Sequence, residues 1–256
     1  MQSELSVIIP TYNESKNIQK TVTDVVSYLS QKGLPSEIIV VDDGSTDNTV
    51  MLVKHLQKQI PHLKLIESRP NRGKGYVVKR GMLEGKGKYL LFMDADQATH
   101  ITELDKFLPK IALDSNEGYH ILIGSRRLKN TNVQIVQPRI RHYMGCFYMT
   151  IAKAILRVPL LDYNCGFKLY RSEAAKKIFE KQLMSDWSFD AELMLLARKF
   201  NFRISEIAVN WRHGENSKVR PIKDSIKTFA ALLKIKRNDL AGKYRINPRL
   251  NLQTKS

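Results

Sequence analysis

Residues 89–96, YLLFMDAD, decide the fold. Five apolar or aromatic residues in an unbroken run, followed at once by two aspartates one residue apart, read as a strand buried on both faces that stops where the chain meets solvent. Residues 5–10 (LSVIIP), 37–41 (EIIVV) and 63–67 (LKLIE) read as strands of the same kind, and 120–124 (HILIG) as a fifth. Helix-period stretches at residues 15–29, 47–59 and 75–84 lie between the first four. Ser45 or Thr46 can cap the second helix, with Asp47 at the positive end of its dipole. Strand-helix-strand alternation at this spacing predicts an α/β fold with a mostly parallel sheet flanked by helices.

In such sheets ligands bind beyond the carboxyl ends of the strands. The polar segments fall there: residues 11–14 (TYNE), 42–45 (DDGS), 94–96 (DAD) and 125–127 (SRR), all along one edge. After Arg127 the rhythm changes, with helices expected at 139–157, 172–181 and 189–200, a strand at 203–209 and an amphipathic helix at 222–235. The expected domain covers residues 1–236. Residues 237–256, with Gly242, Pro248 and few apolar side chains, read as a flexible basic tail.

Charge is the unusual feature of the composition: 42 Lys and Arg against 25 Asp and Glu, a net charge of +17. That balance implies an anionic partner, whether nucleic acid, an acidic membrane surface or a phosphorylated substrate. From Lys218 onward eleven basic residues stand against two acidic ones, so about half of the net charge lies there. That portion is either a solvated surface or one that docks on an anionic membrane. The positive charge is not interleaved with a nucleic-acid recognition motif, which disfavours a nucleic-acid partner. Cys146 and Cys165 form no disulfide framework or metal spacing, so a reducing, cytoplasmic compartment is expected. The short polar start at residues 1–4 does not read as a leader. Residues 143–161 come nearest to a spanning helix, but Lys153 and Arg157 interrupt them. A helix over 139–161 suits both a membrane interface and an amphipathic packing against the core.

Chemistry concentrates in a few places. Alternation along an extended chain can point Asp94 and Asp96 the same way, and two converging carboxylates call for a cation. Hard oxygen ligands select Mg²⁺ or Mn²⁺, whose shell phosphate oxygens and water usually complete. Asp42 and Asp43 end a strand before Gly44, where a carboxylate can accept bonds from a base or ribose or can cap the next helix. Residues 71–75 (NRGKG) open a helix with two glycines and bring Lys74 to a phosphate or sugar. The phosphate-cradling GxxxxGK[ST] loop is absent, as is GxGxxG at the first strand, which disfavours kinase, ATPase and dehydrogenase chemistry. Arg126, Arg139 and Arg141 can bind phosphate through their guanidinium forks or stand as solvated surface charge. His100, His142 and His213 lack partners at ligand spacing.

Together these motifs resemble family 2 glycosyltransferases of the GT-A fold: VIIPTYNE at 7–14, IVVDDGSTDNT at 39–49, NRGKG at 71–75 and DAD at 94–96, in that order and spacing. Later segments resemble the dolichyl-phosphate glucosyltransferase branch, whose neighbours are the mannose synthases: GSR at 124–126, DYNCGFKLYR at 162–171, WSFDAE at 187–192, EIAVNW at 206–211 and then Ser217-Lys218. The resemblance spans about residues 5–235. It implies that Pro10, Tyr12, Glu14, Val41 and Asp43 contact the nucleoside, and that Asp94, Ala95 and Asp96 line the diphosphate and metal site. Arg126 and Arg139 would hold an acceptor phosphate, and Arg212 and Lys218 lie in the stretch that closes over the donor. Mannose synthases often carry a metal-ligating Gln two residues after the DxD, whereas Gln97 here directly follows Asp96.

The implied activity is inverting transfer of glucose from UDP-glucose to a polyprenyl phosphate, dolichyl or undecaprenyl, by a peripheral enzyme on the cytoplasmic membrane face. A phosphate monoester is already ionised near neutral pH, so positioning and charge stabilisation would do most of the work. Transfer of mannose from GDP-mannose to the same lipid is an alternative. Transfer to a hydroxyl of a surface polysaccharide is another, with Asp190 or Glu192 as the base. The absence of Gln-x-x-Arg-Trp disfavours processive polymerisation. A separate membrane protein is a further potential partner.

Overall fold

Strands β1 (Leu5–Thr11), β2 (Ser36–Asp42), β3 (Leu63–Glu67) and β4 (Tyr89–Met93) alternate with helices α1 (Ile18–Gln31), α2 (Thr49–Gln57) and α3 (Lys74–Glu84). The computed structural model describes residues 3–113, 118–129, 131, 139–212 and 221–246, with side chains placed outside 139–147 and 221–226. β1 pairs in parallel with β2 (Val7 opposite Ile38) and with β4 (Val7 opposite Leu91), and β2 pairs in parallel with β3. Successive side chains on these strands alternate between two cores. Ile8, Ile39, Val41, Leu90 and Phe92 face one, while Val7, Ile9, Ile38, Val40, Leu91 and Met93 face the other. A strand sandwiched this way has no wet face, which is why its sequence is an apolar run rather than an alternation.

A 3₁₀ turn at Ile101–Lys106 and the short helix α4 (Leu108–Ile111) precede β5 (Ile121–Ser125). Then come α5 (Arg139–Leu156), β6 (Phe167–Arg171), α6 (Ser172–Lys181), α7 (Phe189–Lys199), β7 (Ile204–Ala208) and α8 (Pro221–Leu240). The sheet order is β3-β2-β1-β4-β6-β5-β7, with β6 antiparallel to both neighbours and β7 parallel to β5. β6 was not among the expected strands. Its sequence, FKLYR, places the buried Lys168 among Phe167, Leu169 and Tyr170, which breaks the apolar pattern. That strand joins the two halves of the sheet.

The helix starts differ from expectation for polar reasons. α2 begins at Thr49, and neither Ser45 nor Thr46 caps it. Ser45 donates its hydroxyl to Asp42, while Asp47 accepts the Thr49 N–H at 3.0 Å and its hydroxyl at 2.5 Å. Asp47 also accepts the Ser15 N–H at 3.1 Å and so ties the β1 exit to α2.

Two further features concern the C-terminal portion and α5. The packed structure does not end at residue 236: α8 runs to Leu240, and Tyr244 is buried and donates its hydroxyl to Glu192 at 2.5 Å. Residues 247–256 lie outside the described residues. α5 ends at Leu156, and its Tyr148, Met149, Ala152 and Leu156 are buried in the core rather than offered to a membrane. Tyr148 packs edge-on against Phe229 of α8, ring centroids 5.9 Å apart. Among the described residues no helix is long and apolar enough to cross a membrane. The outward face of α8 carries Lys227, Ala230, Leu233, Lys234, Arg237 and Leu240, with Leu233 and Leu240 at 66% and 77% exposure.

Candidate active site

The carboxyl ends of β1, β2 and β4 meet in a set of loops fixed by buried carboxylates. Asp42 accepts the Gly44 and Ser45 N–H groups at 3.0 and 2.8 Å and the hydroxyls of Thr11 and Ser45. Gly44, at φ +78°, makes the turn those bonds require. Asp43 accepts the N–H groups of Arg72 and Gly73, both at 2.8 Å, and Asn71 donates to its carbonyl at 2.9 Å. Asp43, expected at the nucleoside, thus anchors the NRGKG loop with one bond to each carboxylate oxygen. A carboxylate has about four lone-pair directions, so these two bonds leave Asp43 further acceptor capacity, although the residue is buried.

That anchoring aims Lys74, the first residue of α3. Gly73 has φ +99°, and a Cβ there would sit 2.5 Å from the Ser185 carbonyl oxygen, so only glycine fits. The Lys74 ammonium reaches Asp94 at 2.6 Å and lies 4.6 Å from the Trp187 ring and 5.3 Å from the Phe92 ring. Burial pushes the Lys74 pKa down, but Asp94, Asp190 and Asp96 outweigh it and hold the ammonium charged. Asp94 itself sits against Gly166, where a Cβ would come within 1.8 Å of its Oδ2, and its N–H donates to the Gly166 carbonyl at 3.0 Å.

Ala95 turns inward, its carbonyl accepting the Thr21 hydroxyl at 2.6 Å, while Asp96 turns outward. Asp96 accepts the Ala98 N–H at 3.0 Å. Desolvation and then the Asp94 charge raise its pKa, with Glu14 adding to the effect and Lys74 opposing it. Asp96, crowded by Asp94 and Glu14 while Lys74 is paired with Asp94, is a carboxylate whose charge a hard cation would relieve. Among the described residues no third His, Cys, Asp or Glu joins them in a metal-type cluster, so water and phosphate oxygens would have to complete the shell. The residues fit Mg²⁺ or Mn²⁺ on those terms. Gln97 turns away from this position and donates to Asp24 at 2.8 Å.

Behind Lys74 stands a buried ion pair. Lys168, fully inaccessible, reaches Asp190 at 2.6 Å and the Cys165 carbonyl at 2.7 Å. Burial raises the Asp190 pKa, with Lys168 and Lys74 opposing it. Glu192, the other candidate base, is turned into the fold. It accepts the N–H groups of Leu183 and Met184, both at 2.9 Å, and the Tyr244 hydroxyl. These bonds hold the segment between α6 and α7, which presents Trp187 beside Lys74.

Arg126, expected to grip an acceptor phosphate, is already forked onto Asp162: Nε to Oδ2 at 2.7 Å and Nη2 to Oδ1 at 2.8 Å. Its guanidinium lies 5.3 Å from the Trp211 ring. Asp162 is in turn set by Glu206, which accepts the Leu161 and Asp162 N–H groups at 2.7 and 2.9 Å. Arg212 is exposed, and its N–H donates to the Ala98 carbonyl at 2.8 Å, so its backbone lies beside the DxD loop.

The remaining expected residues divide. Tyr12 is exposed and Glu14 half-buried at the β1 exit, Glu14 accepting from Asn17 at 2.8 Å. Pro10 is buried in β1, opposite Val41 of β2. The Val41 side chain is wholly in the core against α3, where a Cβ on Gly81 would meet it at 3.0 Å. Arg139 opens α5, with its side chain outside the described residues, as is the whole of Lys218. A groove of about 480 Å³, lined by Ser45, Met51, Lys54 and Arg69 among others, lies beside the site rather than at the DxD; its Lys54 is paired with Glu67 at 2.6 Å.

Lys168, Asp162, Gly166, Trp187 and Trp211 were not expected to have roles. All but Trp187 and Trp211 lie within residues 162–171, and the lysine interrupting an apolar run was the signal that could have been followed.

The sequence model described as Glycosyl transferase family 2 matches residues 6–179. Similar curated proteins include those named dolichyl-phosphate beta-glucosyltransferase from Drosophila melanogaster, 36% identical over 95% of this chain and 77% of that protein, and from Saccharomyces cerevisiae, 35% identical over 95% and 77%. The human protein of that name is 33% identical over 95% of this chain and 78% of its own length. Among solved structures, glucosyl-3-phosphoglycerate synthase from Mycobacterium tuberculosis, crystallised with Mn²⁺, UDP and glucosyl-3-phosphoglycerate, superposes with a TM-score of 0.64 at 19% identity, covering 92% of this chain and 80% of that one. The fold is that of the GT-A glycosyltransferases.

Proposed function

This chain belongs to glycosyl transferase family 2, and from that premise we propose that it transfers glucose from UDP-glucose to the phosphate of a polyprenyl lipid, dolichyl or undecaprenyl phosphate, with inversion at the anomeric carbon. The carrying observation is that relatives aligned over 95% of the chain share the acceptor and sugar in their names. A phosphate oxygen attacks the anomeric carbon from the side opposite the nucleotide, the bond to the diphosphate oxygen breaks, and UDP departs. Attack on an α-linked nucleotide sugar from that side gives the β product.

The site suits a nucleophile that arrives ionised. Glu192 is committed to three donors and Asp190 to the buried Lys168, so neither carboxylate is disposed as an unencumbered base. Asp94 and Asp96 would hold Mg²⁺ or Mn²⁺, which supplies charge stabilisation for a departing diphosphate. Lys74 adds a positive charge at the same place, with the Trp187 ring 4.6 Å from its ammonium. Arg126, oriented by Asp162 and Trp211, offers Nη1 and its outer Nη2 hydrogen to the acceptor phosphate.

The outward face of α8 supports a peripheral place on the cytoplasmic membrane face. Two exposed leucines, Leu233 and Leu240, on the same face as Lys227, Lys234 and Arg237 combine apolar insertion with attraction to anionic lipid. A separate membrane protein would be an additional partner there.

The test is purified protein with UDP-glucose or GDP-mannose, Mg²⁺ or Mn²⁺, and a polyprenyl phosphate. Glucolipid and UDP are expected. Asp96→Ala lowers the rate on the order of 10³-fold, and chelation by EDTA abolishes it. Full activity in EDTA, or no glycolipid with either donor, overturns the reading. A second reading, transfer to a sugar hydroxyl, is favoured by one observation, the raised pKa of Asp190. Under it Asp190→Asn costs on the order of 10²–10⁴-fold with a hydroxyl acceptor; under the first reading no hydroxyl acceptor is used.

A further inference from the structure

We propose that Lys74 is the built-in counter-ion of the Asp94–Asp96 pair, holding the cation's place so that metal ion and nucleotide diphosphate must load together. The inference rests on the glycosyltransferase reading of the site. Of the described cations Lys74, Lys168 and Arg126, two have carboxylates of their own. Lys168 is bound to Asp190 and Arg126 is forked onto Asp162. Lys74 alone of the three is paired with a DxD carboxylate, at 2.6 Å from Asp94 Oδ1.

The backbone under this lysine is fixed while its ammonium can turn. Asp43 holds the N–H groups of Arg72 and Gly73, and the close approach of Gly73 to Ser185 fixes the start of α3. The flexible stem ends between the Phe92 and Trp187 rings, a seat that suits a cation in more than one position. A divalent ion competes directly for the Asp94 oxygen that Lys74 occupies.

Charge then couples the two ligands. With Lys74 in place the pair carries one uncompensated negative charge, on Asp96. A divalent cation arriving alone displaces the ammonium and leaves surplus positive charge in a partly enclosed site. A diphosphate arriving alone adds its charge beside Asp96. Arriving together, the cation takes Asp94 and Asp96, and the displaced ammonium pairs with the diphosphate. Of these cases the combination comes closest to the original balance, and at short range in a partly desolvated site such imbalances are costly.

The decisive measurement is Mn²⁺ binding followed by the loss of the free-ion electron paramagnetic resonance signal, with and without UDP, in wild type, Lys74→Met and Lys74→Arg. Trp187 fluorescence reports departure of the ammonium in parallel. Wild type is expected to bind Mn²⁺ weakly alone and at least roughly tenfold more tightly with UDP. Lys74→Met binds Mn²⁺ without UDP at least as tightly as wild type does with it, gains little from UDP, and binds UDP more weakly. Lys74→Arg keeps the charge and the dependence on UDP, which separates the effect from any loss of folding. Equal Mn²⁺ binding by wild type and Lys74→Met without UDP overturns the counter-ion role while leaving the site assignment intact. Failure of wild type to bind Mn²⁺ even with UDP overturns both.

Discussion

Asp162 and Arg126 illustrate how single residues at this site act through charge pairs rather than as isolated ligands. Burial raises the Asp162 pKa, but the Arg126 guanidinium outweighs it and holds the carboxyl below the ordinary value of 3.8. A depressed folded-state pKa contributes stability that is fully present above the unfolded value and is lost as pH falls through the folded one. Asp162→Asn is therefore expected to cost about 3 kcal/mol at neutral pH, because it leaves a largely buried guanidinium unpaired. The gap to wild type should narrow below about pH 4, as read by denaturant unfolding across pH. A gap constant with pH would mean that packing, not charge, is lost. The crowding of Asp94 and Asp96 was legible in the sequence, because they stand one residue apart at the end of an apolar run. The engagement of Arg126 by Asp162 was not, since the partners are 36 positions apart in the chain.

At the scale of elements, the start of the antiparallel strand β6 places Gly166 against Asp94. A Cβ at Gly166 would overlap Asp94 Oδ2, so Gly166→Ala must move Asp94. Misplacing a catalytic group by about an ångström costs roughly 10²-fold, and that loss is expected in the transfer rate with the circular dichroism spectrum preserved. A variant with wild-type rates would show that Asp94 tolerates the shift. Strands β1, β2, β4 and β5 were readable as apolar runs because both of their faces are buried. β6 was hidden by Lys168, whose burial makes sense only once Asp190 of α7 is brought beside it. Likewise α5 fitted two environments by its periodicity, and only its packing against Phe229 of α8 selected the core.

For the whole molecule, the excess of +17 is the property that periodicity cannot place. α8 shows part of it gathered on one outward face with Leu233 and Leu240. Replacing both leucines by serine is expected to weaken flotation with phosphatidylserine-containing vesicles by at least roughly tenfold, given about 1.5 kcal/mol or more for each leucine withdrawn from lipid. Binding of wild type should fall with added salt and be weak on neutral phosphatidylcholine vesicles. Salt-independent binding, or serine variants that float like wild type, would remove α8 from the membrane contact. The catalytic rate on a short-chain, water-dispersible acceptor should be unaffected by these changes.

By itself the sequence determined the α/β class, the succession of the first five strands and the gathering of TYNE, DDGS, DAD and SRR at one sheet edge, because local periodicity and strand polarity dictate them. Tertiary structure decided which carboxylates meet which cations. Lys74 with Asp94, Lys168 with Asp190, Arg126 with Asp162 and Tyr244 with Glu192 are pairings between distant segments. Each depends on how far two groups lie apart in space and how much water is excluded between them, quantities that spacing along a chain does not contain.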